Sequence, residues 1–383
     1  MFALVDTVSG IWARVQRSLF PALADAGVEL TAKLCQLITI FEVVQLEGFV
    51  AGPSPYQVGA KPSDRRCFAR AFVAKAFYRA TDTKAWRERL LGDPALRKVC
   101  GWLRRAEVPS EATFSRAFAA FAEIGLLDTV HDAVVRHYLG DQPALNAATD
   151  STAIPARETP VSRAKPKADD ATAQPIEAKT PAPAKRKRGR PKKGVAIPPK
   201  ELTRLERQRT QEPEIALLEL PTACNVGCKT NSQGNKDYWI GYKLHVRVDE
   251  AGLPLAAVTT AASVHDSQVA IPLMKLSDRR CRTLYELMDR AYDAAPLRRA
   301  AELAGHVPII DYIRRRGQDR ATELAPDRAE HYQGRTVVER FNARLKDEFG
   351  GDLVRVRGHR KVHAHLMCGV LVIFADQLLR LAT

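Results

Sequence analysis

The chain has 383 residues, enough for two or three domains, and 45% hydrophobic with 27% charged residues is the composition of an ordinary water-soluble protein. Its formal charge of +15 favours a polyanionic partner, either nucleic acid or an anionic membrane surface. No apolar run in the sequence approaches the roughly 20 residues of a membrane span, and Met1–Asp6 lacks the basic start of a signal peptide. These features predict a cytoplasmic protein that does not enter a membrane and whose partner is DNA.

The seven cysteines are scattered along the chain from Cys35 to Cys368. An odd, dispersed set does not make a disulfide framework. Cys224 and Cys228 form the one close pair, and no second pair of Cys or His follows at the spacing of a zinc finger. We therefore predict free thiols rather than disulfides or a structural zinc site.

Helices are predicted in the first 140 residues. Residues 1–63 are expected to form an N-terminal helical segment, and residues 64–140 a helical domain, because Asp82, Asp93 and Ser110 each stand at an N-cap position. Basic residues on these helices either contact DNA phosphates or form a solvated face. Aromatic residues at helical spacing are expected in the core: Phe68, Phe72, Phe77, Phe114, Phe118 and Phe121.

The composition changes twice after these helices. The segment Leu145–Ile154 is typical of a short buried strand, and this strand is expected to end at the acid Asp150. Residues 155–212 have almost no large apolar side chain and are predicted to be disordered, because burial cannot offset the entropy of ordering them. This basic insert contains Arg188-Gly-Arg190-Pro, which resembles the AT-hook, an arm that places arginines in the narrow minor groove of A·T-rich DNA. Nonspecific tethering to DNA by the same charges is the alternative.

Strands and helices alternate in the second half of the chain. The predicted elements are the strands Tyr238–Val248 and Leu253–Ala261, a helix from His265, the strand Arg282–Met288, the helix Ala295–Ala304 and the strand His306–Ile313. Three acids lie beside them. Asp289 follows a strand directly, Asp266 either caps a helix or lies near a site, and Asp293 is expected to cap the next helix.

A last helix is predicted over Tyr332–Lys346. On a continuous helix, Tyr332, Arg335, Glu339 and Lys346 fall within roughly 60° of arc and form one polar stripe. A glutamate among basic neighbours is commonly part of a solvated surface, but the opposite face here is apolar and is expected to dock inward. Its members are Val337, Val338, Phe341, Leu345 and Phe349.

The spacing Tyr-x2-Arg-x3-Glu-x6-Lys in this helix resembles the signature of insertion-sequence DDE transposases, whose catalytic domain is RNase H-like. The resemblance covers most of residues 65–383. It implies an α/β fold: an RNase H-like mixed five-stranded sheet with flanking helices over residues 141–383, interrupted by the disordered insert 155–212. The helical domain in front would bind the transposon ends.

The same resemblance implies that Asp150, Asp289 and Glu339 are the catalytic, metal-binding triad, with Asp150 bridging two divalent ions, Mg²⁺ or Mn²⁺. Hard ions of this kind prefer carboxylate oxygens, and a pair of them activates the nucleophile and stabilises the leaving oxygen. The implied activity is cleavage of DNA at inverted-repeat ends, followed by joining of the freed 3′-hydroxyl to target DNA.

The resemblance also implies that the basic and tyrosine positions of the signature hold DNA phosphates near the cut. A homodimer on DNA and a bacterial, nucleoid-associated location follow from it as expectations. Two other classes stay open: a catalytically inactive DNA-binding architectural or regulatory protein derived from a transposase, and a nuclease without strand transfer. The DNA-binding candidates are Tyr332, Arg335, Lys346, Lys243, Arg188 and Arg190.

Overall fold

The structure is a computed structural model that describes residues 9–11, 13–19, 23–24, 27, 30–52, 63–140, 142–161, 201–230, 233–314 and 323–382. The described α-helices that precede the sheet are α1 (Ala32–Val44), α2 (Arg65–Phe77), α3 (Thr83–Gly92), α4 (Pro94–Cys100), α5 (Glu111–Glu123) and α6 (Leu126–Leu139). Short single turns lie between some of them, at Leu46–Phe49 and Arg105–Glu107.

The predicted helix starts are confirmed by side-chain caps. The carboxylate of Asp82 accepts a hydrogen bond from the Ala85 amide at 2.8 Å, and that of Asp93 accepts one from the Leu96 amide at 2.9 Å. Ser110 caps α5 through the Thr113 amide. Each cap satisfies an amide that has no partner within its helix. The aromatic residues predicted for the core are all buried, with Phe72 in edge contact with Phe114, Phe118 and Phe121.

The second half of the chain is a mixed α/β unit. Its strands are β1 (Ala144–Pro155), β2 (Asn225–Thr230), β3 (Lys236–Asp249), β4 (Pro254–Ala261), β5 (Thr283–Met288) and β6 (Val307–Ile310). Its helices are α7 (Arg204–Gln208), α8 (Pro213–Leu218), α9 (Ser267–Asp278), α10 (Ala295–Leu303), α11 (Pro326–Gln333), α12 (Thr336–Asp347) and α13 (His359–Ala382).

The sheet has six strands rather than the five expected. Its order is β2-β3-β1-β5-β6, with β4 also paired to β3. β1 pairs antiparallel with β3 and parallel with β5, and β5 pairs parallel with β6. If β2 and the short helices α7 and α8 before it are left aside, the strands and helices follow in the predicted order. This mixed sheet is consistent with an RNase H-like fold.

The additional strand β2 arises because β3 is unusually long. The first part of β3 pairs with β2 and the second part pairs with β4 on the same edge. Gly241 lies where the partner changes, with φ of +151°, and a Cβ there would stand 2.2 Å from the carbonyl oxygen of Ile154 on β1. Only glycine permits this close approach of two backbones.

Helices cover both faces of the sheet. Leu287 and Ile309 belong to the same buried cluster as the apolar face of α12, whereas the next residues, Met288 and Ile310, pack with α9 and α10. Successive residues of a strand point to opposite faces, so the sheet is the middle of three layers. The predicted apolar face of the signature helix is confirmed, because each of its five side chains is buried.

The C-terminal helix α13 joins the helical region to the sheet. It packs against α1, α2, α5 and α6 as well as against β4 and α12. α13 is long and apolar enough to cross a membrane by length and composition, but 78% of its most apolar window is buried inside the protein. Helices in the core of soluble proteins have the same composition, so its packing accounts for its apolar character.

The predicted disorder of residues 155–212 is wrong at both ends. β1 continues five residues past Asp150 to Pro155, and the amide of Val161 donates a hydrogen bond to the carbonyl of Cys224. At the other end, α7 packs on α9, where the ammonium of Lys275 donates to the carbonyl oxygens of residues 208, 209 and 211. Residues 162–200, with Arg188 and Arg190, lie outside the described residues.

All seven cysteines are free, as predicted. Cys224 is buried and Cys228 is exposed, although both are close in sequence at β2. Residues four apart within one strand face the same side, but Cys224 lies before the first residue of β2, so this rule does not apply to the pair.

Asp249, the last residue of β3, is expected to make the stability of the fold depend on pH. Its carboxylate is buried and accepts a hydrogen bond from the Leu253 amide at 2.7 Å. Burial raises the pKa of Asp249 to about 7. The pKa of Asp249 is therefore higher in the folded protein than in the unfolded chain. Its protonated carboxyl stabilises the fold fully at pH values below the pKa of the unfolded chain, and this stabilisation is lost as pH rises through about 7.

The variant Asp249→Asn keeps an acceptor oxygen for the Leu253 amide but cannot ionise. We expect its melting temperature to exceed that of the wild type by several degrees at pH 8 and by much less at pH 4, measured by thermal unfolding. Glu88→Gln, at an exposed position of α3, is the control. A pH-independent difference for Asp249→Asn would contradict the assignment.

Candidate active site

Two of the predicted acids lie side by side at the centre of the sheet. In the parallel pairing of β1 with β5, Thr149 is opposite Met288. The next residue along the chain is Asp150 in β1 and Asp289 directly after β5, so these two acids are neighbours. Neighbouring strands lie about 4.8 Å apart, which places the two carboxyl groups close together. Asp150 lies in the middle of β1, so the prediction that the strand ends there is wrong, whereas Asp289 does follow the last residue of β5.

The environment of both carboxyl groups disfavours their negative charge. Burial raises the pKa of Asp150 to about 6, and the charge of Asp289 acts in the same direction. Burial also raises the pKa of Asp289, with a further contribution from Asp266. Asp289 accepts one hydrogen bond, from the Ala291 amide at 2.9 Å. Such a group of acids is stabilised when a cation binds among them.

The helix that carries Glu339 is interrupted, contrary to the prediction of one continuous helix. α11 ends at Gln333 and α12 begins at Thr336, and tight turns join them through the amides of Gly334 and Arg335. Tyr332 is therefore on one helix and Glu339 on the next. Their side chains still meet, because the Arg335 guanidinium lies 5.9 Å from the centre of the Tyr332 ring and pairs with Glu339 at 2.5 Å.

Arg335 stands among the acids. Burial opposes its charge, but Tyr332, Glu339, Asp150 and Asp289 together raise the pKa of its guanidinium. Glu339 is exposed and is held by this arginine. Arg335 thus neutralises part of the acidic charge in this structure, and a bound phosphate would compete with Glu339 for the same guanidinium.

Asn342 is a candidate site residue that was not predicted from the sequence. It is buried on α12, and its side-chain amide donates a hydrogen bond to Asp150 at 3.2 Å. Since Asn342 lies three residues after Glu339, one turn of α12 contributes to the site at both positions. Asn342 lies three residues past the glutamate, on the helix face between the polar stripe and the apolar residues. This position is the sequence signal that could have indicated a role for Asn342 beside the acids.

Two lysines border the acids. Burial lowers the pKa of Lys346, and the nearby Lys229 on β2 lowers it further. Lys229 also acts electrostatically on Asp150 and Asp289. Lys229 was not a predicted site residue, because the strand β2 that places it there was not expected from the sequence.

Asp266 is a fourth acid near the pair. It occupies the N-cap position of α9 but makes no capping hydrogen bond with its side chain. Lys243 pairs with it instead at 2.9 Å, and the Ser151 hydroxyl also bonds to it. Of the two alternatives for Asp266, the structure therefore favours a position beside the site. Lys243, a DNA-binding candidate, is largely buried in this ion pair.

Asp293 is not the helix cap that was expected. Its carboxylate pairs with Arg298 at 2.9 Å, and Ala294 occupies the N-cap position of α10 without a side-chain cap. The side chain of Asp293 is almost fully buried. It holds α10 close to β6, since Arg298 also donates to the carbonyl of Ile310.

A second cluster of acids lies elsewhere under the sheet. Within the described part of the chain, Asp278, Glu286 and His306 are the one group of three possible metal ligands within 4.8 Å of one another. The buried guanidinium of Arg247 already pairs with Asp278 at 3.0 Å and with Glu286. Because this cluster contains its own cation, we assign it to the attachment of β3 to β5 and α9.

The residues at the sheet centre fit divalent ions better. Among the described residues, no lysine or arginine is paired with Asp150 or Asp289 at hydrogen-bond distance, and Mg²⁺ prefers such free carboxylate oxygens. Glu339 would join them after releasing Arg335. This donor set suits the chemistry of a divalent ion, which polarises a phosphoryl oxygen and lowers the pKa of bound water.

The family comparison covers the second half of the chain. Residues 218–374 match the model of a family described as "Transposase DDE domain". Comparisons with curated proteins and with solved structures gave no match. The matched segment includes Asp289, Glu339 and the whole signature, whereas Asp150 lies outside it and is connected to it by the sheet. Over residues 218–374 the chain is therefore similar to the transposase DDE domain family, in agreement with the resemblance to insertion-sequence DDE transposases.

Proposed function

We propose that this protein is a DNA transposase that cleaves DNA at transposon inverted-repeat ends and transfers the freed 3′-hydroxyl to target DNA. The observation that carries the proposal is the adjacency of Asp150 and Asp289 on β1 and β5, with α12 bringing Glu339 and Asn342 to the same side. The family match supports the transposase class. The RNase H-like fold and the Tyr-Arg-Glu-Lys signature belong to the same proposal.

The proposed roles follow from the chemistry of each side chain. Asp150, Asp289 and Glu339 would hold two divalent ions, Mg²⁺ or Mn²⁺, which supply charge stabilisation and an activated nucleophile when bound. Arg335 and Lys346 would bind phosphates of the DNA beside the cut, because a guanidinium forks onto two phosphate oxygens and an ammonium acts as a point charge.

The remaining DNA contacts are proposed from charge. Arg188 and Arg190, which lie outside the described residues, would bind the minor groove of DNA. Tyr332 would hold a DNA phosphate near Arg335. A homodimer is proposed because two transposon ends must be brought together. Lys243 contributes only if its pair with Asp266 opens.

A donor DNA that carries the inverted repeats flanking the gene tests the proposal. Incubated with the full-length protein and Mg²⁺, it should be excised and joined to a second DNA, whereas EDTA should abolish both steps. Cutting without joining would indicate a nuclease. Binding without any cutting would indicate a DNA-binding protein derived from a transposase, the alternative stated above.

The variant Asn342→Ala tests whether this side chain positions Asp150. Removing its hydrogen bond leaves the Asp150 carboxylate free to turn, so we expect cleavage to fall about 10- to 100-fold. The Mg²⁺ concentration for half-maximal cleavage should rise as well, which loss of folding alone would not produce. Asn342→Gln, which keeps the amide, should recover part of the activity. An unchanged Mg²⁺ dependence would refute the positioning role.

A further inference from the structure

A second site lies away from the acids, between the helical region and the C-terminal part of the chain. It is a cavity of about 380 Å³, lined by α2, α3 and α5 on one side and by residues 355–357 and α13 on the other. Pockets of this size bind small molecules or parts of larger ones. None of the residues assigned to the proposed catalytic site lines it.

One half of the cavity is basic. Lys75, Arg355, Arg357 and Lys361 line it. The acidic lining residue Asp82 caps α3, and its charge also acts on Lys75 and Arg355. Burial lowers the pKa of the Lys75 ammonium, and no hydrogen-bonded partner of this ammonium is found among the described residues. A positive charge in such a position is stabilised by an anion.

The other half is apolar. Phe72 and Phe118 are packed edge to face, with ring centres 4.9 Å apart, and both line the cavity together with Val356. His365 also lines it, with its Nε2–H donated to the carbonyl of Gly350 at 3.0 Å. A ligand that fills this space therefore needs an anionic group and an apolar, preferably flat, part.

The cavity is joined to the chain segment that leads to residues 162–200. The guanidinium of Arg357 donates to the carbonyl of Arg157 at 3.1 Å, and the Gly358 amide donates to Glu158 at 2.9 Å. These two acceptors lie just after β1. In the sequence they come shortly before residues 162–200, which contain 12 Lys and Arg against three Asp and Glu.

We propose that this cavity binds one nucleotide unit, with its phosphate against Lys75, Arg355 and Lys361 and its apolar part against Phe72 and Phe118. The nucleotide is either part of a DNA strand or a free mononucleotide, since both carry the same chemistry. In the first case the inference rests on the proposed function and adds a DNA contact remote from the acids.

Binding by the full-length protein in EDTA tests this without any cleavage. The probes are thymidine 5′-monophosphate, inorganic phosphate and a short single-stranded oligonucleotide, each measured by calorimetry. We expect Lys75→Met to weaken nucleotide binding at least about 10-fold and Arg355→Ala to weaken it several-fold, because each loses a charge-assisted contact. Inorganic phosphate should bind at least about 10-fold more weakly than the nucleotide, since it lacks the apolar part.

Matched controls separate this effect from folding and from the catalytic site. Arg299→Ala removes an exposed arginine on α10 and should leave binding unchanged. Arg355 is exposed, so its removal does not disturb the core even if Lys75→Met proves unstable in thermal unfolding.

Each outcome is decisive. If the mononucleotide binds and Lys75→Met weakens its binding, a free nucleotide is a sufficient ligand for the cavity. If only the oligonucleotide binds in a Lys75-dependent way, the ligand is a nucleotide within a DNA strand. The inference is overturned if neither probe binds or if binding is insensitive to both Lys75→Met and Arg355→Ala. Lys75-dependent binding by a protein that does not cut end DNA would refute the proposed function and leave this site standing.

Discussion

Replacement of Glu339 by glutamine is expected to abolish cleavage of end DNA while leaving the fold intact. Glutamine has nearly the same volume and helix propensity, but it lacks the charge that would hold a divalent ion, so the rate should fall by about 10²-fold or more. Stability should change little, because Glu339 is exposed and its pair with Arg335 is a surface pair worth about 1 kcal/mol or less. Single-turnover cleavage with Mg²⁺ measures the effect.

Asp347→Asn is the matched control for this substitution. Asp347 is the last residue of the same helix, about 12 Å further along its axis, and should lie beyond reach of the ions. Its variant should cut DNA at close to the wild-type rate. If Glu339→Gln were to cut as fast as the wild type, Glu339 would not belong to the metal site, and if it unfolded, the residue would be structural.

Removal of residues 163–199 is expected to weaken DNA binding strongly without unfolding the protein. Residues 163–199 contribute a net charge of +8 out of +15, and each contact between a basic side chain and a phosphate releases a counterion. The plot of log affinity against log salt should therefore become shallower, and affinity at low salt should fall by about 10-fold or more. Filter binding over a series of salt concentrations measures both.

The bounds of this deletion follow from the structure rather than from composition. A deletion of all of 155–212 would remove the last residue of β1 and the helix Arg204–Gln208, which packs on α9. We expect that larger deletion to lower the melting temperature, and the shorter one to leave it unchanged. A large fall with the shorter deletion would show that residues 163–199 contribute to the core.

Local signals in the sequence were sufficient for most of the elements. The caps at Asp82, Asp93 and Ser110 and the aromatic spacing in α5 determined where helices begin and which face is buried, because capping and amphipathic periodicity act over only a few residues. The interruption of the helix at Gly334 and Arg335 could not be predicted from such local signals. A helical pattern continues across it, and the polar side chains of the signature meet only because the two helices dock on the same sheet.

The residue types and spacing of the sequence by themselves carried the resemblance to DDE transposases and predicted the apolar face of α12, the strand that contains Asp150 and the strand that Asp289 follows. Tertiary structure alone decided which side chains share the site. Asp150 and Asp289 became neighbours through pairing between strands 139 positions apart, and Asn342 and Lys229 joined them from α12 and β2. Contacts between residues distant in sequence depend on strand register and helix docking, which no local pattern specifies.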